Sequence, residues 1–188
     1  LNLMQFRDDN GEFDIHAFEH AVRLWTLTLE ISVLMAQFPS KEIAQLSYEY
    51  RTLGLGFANI GGLLMAAGQS YDSHEGRAIC GAISAIMTGI AYATSAEMAS
   101  EVGAFPNYKK NAKHMLRVMK NHQLAAEGKA SGYKGLSILP VPLDTASCSD
   151  KALVSAAAKA WERAVSLGRK HGYRNAQATV IAPTGTIG

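Results

Sequence analysis

The sequence is poor in residues that cross-link, break or charge a chain. Its 188 residues include 2 cysteines and 5 prolines, and only 18% of them are Asp, Glu, Lys or Arg. Cys80 and Cys148 lie far apart and form no CxxC pair, which argues against a disulfide scaffold or a zinc site and fits a reducing cytoplasm. The formal net charge of +2 falls short of the basic excess expected of a DNA- or RNA-binding chain. There is no repeat or low-complexity tract, and no basic-then-apolar leader that would read as a signal peptide. HExxH, GxSxG and zinc-ligand spacings are also missing. Hydrophobic residues are plentiful, at 48%, and a chain of this length can bury a sizeable single core.

The patterning predicts mostly helix. Asp14 caps a long helix from about Ile15 to Phe38, with Phe18, Val22, Trp25, Leu29, Ile31 and Val33 near helical spacing and Pro39 ending it. Ser40 followed by Glu42 starts another, reaching about Tyr50. Leu53, Leu55 and Phe57 alternate with Gly54 and Gly56, which predicts a short strand approached closely by another backbone. A helix from Ala58 to Ala67 follows, closed by Gly68. Ser73, with Gly76 three residues on, opens a long helix to about Glu101, and Pro106 precedes a polar-faced helix closed by Gly128. Gly132, Gly135, Pro140 and Pro142 make Lys129 to Ser149 a long irregular loop. Asp150 caps a last helix to about Lys170, ended by Gly172, and Ala178–Ile181 reads as a terminal strand.

Few stretches carry chemistry. Ala78 to Ala96 has no charged residue and is long enough to span a bilayer, but its Ala, Gly, Ser and Thr content favours a buried helix of a soluble protein. GLGFANIGG lacks the third glycine of a dinucleotide loop, and no acidic residue follows at the required distance. His16 and His20 are spaced i,i+4 without a metal motif and read as a solvated face, as do Lys109, Lys110, Lys113 and Lys120. The exception is the turn Pro183, Thr184, Gly185, Thr186 and Ile187 after the terminal strand. Hydroxyls, a glycine that admits close backbone approach and successive N–H groups suit a phosphate. A plain turn whose threonines satisfy their own backbone is the alternative.

Three stretches together resemble the large catalytic subunit of ribonucleotide reductases, most closely the adenosylcobalamin-dependent class II type. They are LNLMQF at Leu1–Phe6, RTLGLGFANIGGLLMAAGQSYDSHEGR at Arg51–Arg77 and ATVIAPTGTIG at Ala178–Gly188. The resemblance spans nearly the whole chain and implies a fold that is mainly α with a few short strands. Residues 1–188 would then be one segment of a ten-stranded α/β barrel, cut from a larger catalytic domain.

It also implies that Pro183, Thr184, Gly185, Thr186 and Ile187 bind the phosphates of a ribonucleotide substrate. No catalytic residue and no metal ligand falls in the segment, because the family's reactive cysteines would lie on either side of it; Cys80 reads as a small buried hydrophobe and Cys148 as a loop thiol. Adenosylcobalamin would serve the intact parent and is not expected to bind this piece. The expected partners are the rest of the parent chain and, for the isolated piece, a second copy, with no nucleic-acid polymer and no membrane. Two readings from other classes stand beside this one: a free-standing helical interaction domain, and a small phosphate- or nucleotide-binding protein.

Overall fold

A computed structural model describes residues 1–183, and it realises the capping signals closely. The Asp14 carboxylate accepts from Ala17 N–H at 2.9 Å and opens α1, Ile15–Met35. Ser40 caps α2, Lys41–Tyr50, and Ser73 Oγ accepts from Gly76 N–H at 2.8 Å to open α4, His74–Val102, after the short α3, Ile60–Ala66. Helix α5 covers Tyr108–Ala126, and α6 covers Lys151–His171 behind an Asp150 cap. Each such cap satisfies N–H groups that the first helical turn leaves unpaired.

Four local expectations change. Helix α1 stops at Met35 rather than Phe38. Helix α3 starts only at Ile60, because Ala58 is bridged to Asn2 and Asn59 takes a left-handed conformation, φ +73°. A 3-10 turn at Leu3–Phe6, capped by the Asn2 side chain, gave no periodic signal. The two expected strands are not strands among the described residues. Leu53–Phe57 and Ala178–Ile181 are extended runs joined by one parallel bridge, Leu55 to Thr179. The run Leu53–Phe57 has the terminal run on one side and, at its far end, Leu1–Leu3 on the other, but each pairing lasts only a few residues, too short for a ladder. The close approach expected at the glycines is present: a Cβ on Gly56 would collide with the Val180 carbonyl oxygen.

Helix α4 is the centre of the molecule. It packs most extensively on α6, then on α1, and touches α5. Its Ala82, Ile83, Ile86 and Met87 meet Phe18 and Val22 of α1, Ala157, Trp161 and Ala164 of α6, and Leu55 and Ala178 of the extended runs in one core. Small residues set the spacing: a Cβ on Gly89 would lie 2.8 Å from Ala160 Cβ. Helix α4 is long and apolar enough to cross a membrane by length and composition alone, but 67% of its most apolar window is buried inside the protein. The loop after α5 is irregular, as its glycines and prolines predict.

Candidate functional site

The segment leading to the predicted phosphate turn is held rung by rung. Ala176 N–H donates to Tyr50 O at 2.9 Å, Leu53 N–H to Gln177 O at 2.8 Å, Leu55 N–H to Ala178 O at 3.1 Å and Val180 N–H to Leu55 O at 2.8 Å. The register of 176–180 against 50–55 is therefore fixed, and a one-residue slip would turn Ala178 out of the core. Pro183 is exposed at the outer end of this run. Thr184, Gly185, Thr186 and Ile187 lie outside the described residues.

At the inner end sits a buried polar cluster. Glu30, in the C-terminal third of α1, accepts through Oε1 from Arg51 Nε at 2.6 Å and from Arg174 Nε at 2.8 Å, and through Oε2 from Asn175 Nδ2 at 2.5 Å. The same Asn175 amide donates to Arg51 O at 2.9 Å. Ser95 Oγ of α4 donates to Asn175 Oδ1 at 2.8 Å and accepts from Asn175 N–H at 2.9 Å. Arg51, Ser95 and Asn175 are wholly buried, and Glu30 is 6% exposed. Arg51 Nη1 has no partner among the described residues.

Arg51 and Arg174 thus share one carboxylate. Removing it would strand the wholly buried Arg51, a change that costs about 3–5 kcal/mol for buried pairs, whereas Arg174 is partly exposed and also donates to Gly103 O at 3.3 Å. Arg51 also takes a left-handed backbone, φ +48°, a strain of about 1–2 kcal/mol for a residue with a Cβ, and its guanidinium anchors it there.

A cleft of about 760 Å³ opens where α4, α5, α6 and the loop 141–144 meet. Thr179 of the terminal run reaches it, its hydroxyl 3.1 Å from that of Thr88. His74, Arg77, His122 and Asp144 also line it. The His122 ring stacks on Trp161 with centroids 5.1 Å apart, and loss of water from its face pulls its pKa below the ordinary imidazole value. Arg77 is held by Asp72 on the outer surface.

The remaining sequence candidates fall as follows. His16 and His20 are exposed, as are Lys109, Lys110 and Lys113, while Lys120 is half-buried and donates to Gln123 Oε1 at 2.9 Å. The two thiols exchange their expected environments: Cys80 is half-buried, and the loop thiol Cys148 is fully buried. Burial raises both pKa values, and the nearby Asp150 charge raises that of Cys148 further, so neither has the character of a nucleophilic thiolate. Periodicity missed the Glu30 cluster. Its signal was available, since Glu30 is the only charged residue between Leu24 and Met35, and an arginine stands at the head of each extended run.

A family model described as "Ribonucleotide reductase, barrel domain" matches residues 1–188. The "Vitamin B12-dependent ribonucleotide reductase" of Bradyrhizobium diazoefficiens is 68% identical over 188 residues, which are 100% of this chain and 15% of that protein. The protein of the same description from Agrobacterium fabrum is 64% identical over 189 residues, again 15% of its length. The "Ribonucleoside-diphosphate reductase subunit alpha" of Chlamydia muridarum is 28% identical over 188 residues, 16% of its length. The chain thus spans less than a fifth of each of these three relatives.

Proposed function

Because the chain belongs to the ribonucleotide reductase barrel-domain family, we propose that it is a section of the catalytic barrel of a cobalamin-dependent enzyme that reduces ribonucleotides to deoxyribonucleotides. Its part in that enzyme is to supply wall helices and the turn that holds the substrate's phosphates. In a ten-stranded barrel the runs Leu53–Phe57 and Ala178–Ile181 are neighbouring parallel strands, in keeping with their one parallel bridge. One observation carries the assignment of the turn: a run locked in register against 50–55 ends at the exposed Pro183.

The chemistry of Pro183–Ile187 follows from its residue types. Gly185 admits a phosphate close to the backbone, Thr184 and Thr186 add hydroxyl donors, and successive N–H groups supply partial positive charge. These residues bind and orient; the reduction at the ribose 2′ carbon belongs to other parts of the intact enzyme.

Adenosylcobalamin supplies the radical chemistry when the intact enzyme binds it. We assign its seat to other parts of the intact enzyme: the cleft between α4, α5 and α6, about 760 Å³, is in the range that holds drug-sized ligands, and a corrin with its nucleotide arm is larger. The reductase works in the cytoplasm, a setting in keeping with two unpaired thiols.

Kinetics of the intact enzyme test the assignment. Thr184→Ala and Thr186→Ala should each raise KM for the ribonucleotide about tenfold while sparing kcat, as loss of a hydrogen bond to a charged group does. An unchanged KM in both variants refutes the phosphate turn. The isolated chain, given adenosylcobalamin, a ribonucleotide and a dithiol, should form no deoxyribonucleotide, and formation above a protein-free control refutes the placement of the catalytic cysteines elsewhere.

A further inference from the structure

The outer side of α5 carries an uneven share of the charge. The sequence holds 18 Lys and Arg and 16 Asp and Glu, and seven of the former but only one of the latter, Glu127, fall between Tyr108 and Leu143. That stretch is therefore strongly positive, while the remainder of the chain is net negative. Lys109, Lys113 and Arg117 follow one another at i,i+4 spacing, so they share one side of the helix, and no acidic residue of α5 relieves their repulsion. All three are exposed, as are Lys110, Lys129 and Lys134. None of the six forms an ion pair among the described residues.

Beside this stripe stands an apolar loop tip. Ile138 and Val141 are 84% and 94% exposed, and Leu136 and Leu139 are exposed as well. The loop that displays them is tied down at both ends. On one side the Asn121 amide donates to Lys134 O at 2.9 Å and its oxygen accepts from Lys134 N–H at 3.0 Å, and the Arg117 guanidinium lies against Gly135. On the other, Leu143 N–H donates to Ala125 O at 2.9 Å. Val141, Pro142 and Leu143 then run into the wall of the cleft between α4, α5 and α6. Arg117 thus joins the basic stripe to the tip, and Val141 joins the tip to the cleft.

We propose that this surface docks an acidic segment with apolar side chains that belongs to the same reductase polypeptide and lies outside residues 1–188. The inference rests on the reading of the chain as a section of a larger enzyme. Carboxylates of the segment would meet Lys109, Lys113 and Arg117, and its apolar side chains would cover Ile138 and Val141. Charge complementarity selects the acidic partner, and aliphatic side chains held out into water on a pinned loop call for apolar cover. Length selects the source. The chain is 15% of the Bradyrhizobium and Agrobacterium relatives, so most of such a polypeptide is tethered nearby, at an effective concentration that a separate protein seldom reaches.

Zero-length carbodiimide cross-linking of the intact enzyme, read by mass spectrometry, tests the proposal. Lys109 or Lys113 should be joined to an Asp or Glu outside residues 1–188. In a mixture of unlabelled and heavy-isotope protein, both ends of each cross-link should carry the same label. Arg117→Glu should cut the yield at Lys109 and Lys113 about tenfold through like-charge repulsion. Ile138→Ser with Val141→Ser should cut it about threefold through lost apolar cover. The replaced side chains are exposed, so these variants should fold.

Cross-links confined to residues 1–188, cross-links of mixed label, or none at all overturn the proposal, and mixed label identifies a second copy as the occupant. Unchanged yields in both variants overturn it too. Without cross-links, binding to phosphatidylserine vesicles or to a DNA duplex that is lost in Arg117→Glu overturns it in favour of a membrane or a nucleic acid. Ribonucleotide reduction by the same preparation reports on the functional reading separately. Cross-links without reduction refute that reading and leave the docking standing, and reduction without cross-links does the reverse.

Discussion

At the residue scale, Tyr173 shows how burial becomes a pH dependence. Its side chain is fully buried, and its hydroxyl donates to Ala164 O at 3.0 Å. Loss of water around the ring, with Tyr108 and Tyr92 nearby, pushes its pKa far above the ordinary phenol range. The folded state thus holds this proton more tightly than the unfolded chain, whose tyrosines titrate near ~10. The stabilisation is complete below about pH 10 and is lost as pH rises beyond it. Tyr173→Phe should cost about 1 kcal/mol at neutral pH through the lost hydrogen bond. It should also flatten the alkaline limb of a stability–pH curve measured by urea denaturation. Identical alkaline limbs in the two proteins would show that Tyr173 does not titrate on unfolding. The same scale shows why the Glu30 cluster escapes a reading by periodicity: one glutamate in an apolar stretch fits a helix face, and only its partners from residues 51, 174 and 175 reveal that it is buried.

At the element scale, two contacts can be weighed. Helix α4 lies on α6 with Gly89 against Ala160, and a Cβ on Gly89 would also come within 3.0 Å of the Ala160 carbonyl carbon. Gly89→Ala gains about 1 kcal/mol of intrinsic helix preference. Overpacking costs about 1–3 kcal/mol, because two helix backbones must separate rather than one side chain rotate. The overpacking wins, and the variant should unfold at lower urea; a raised midpoint would mean that the helices are less closely opposed. The start of α6 depends on Asp150, whose carboxylate accepts from Ala152 and Leu153 N–H at 2.8 and 3.1 Å. Asp150→Ala should lose about 1 kcal/mol in the same assay, and Asp150→Ser should recover part of it. Caps of this kind are legible in sequence because they are local: Asp14, Ser40, Ser73 and Asp150 all open the helices expected of them. The two extended runs were legible as extended, and their failure to form a ladder was not, because pairing depends on segments distant in sequence.

At the scale of the whole molecule, apolar surface is unevenly covered. The uncharged stretch of α4 is for the most part covered by α1, α5 and α6. The exposed apolar side chains lie elsewhere, with Leu24, Trp25, Ile31, Leu34 and Met35 on α1 and Ile43 and Leu46 on α2. Such a concentration seldom stays in water. The isolated chain should therefore self-associate, with a sedimentation coefficient that rises with concentration, and Leu34→Lys with Met35→Lys should shift it toward monomer. A chain that stays monomeric at all concentrations and binds no hydrophobe-sensing dye would show that this surface needs no cover.

The sequence alone determined what depends on near neighbours: the helix starts, the glycine stops, the irregular loop after α5 and the family, read from motifs that are contiguous in the chain. Tertiary structure decided what depends on distant ones. It buried Cys148, covered α4, reduced two strands to one bridge and assembled Glu30, Ser95, Arg51, Arg174 and Asn175 at a single point. The physical reason is range. A cap or a turn is satisfied within a few residues, whereas a buried charge is tolerable only where the whole fold brings its partners to it.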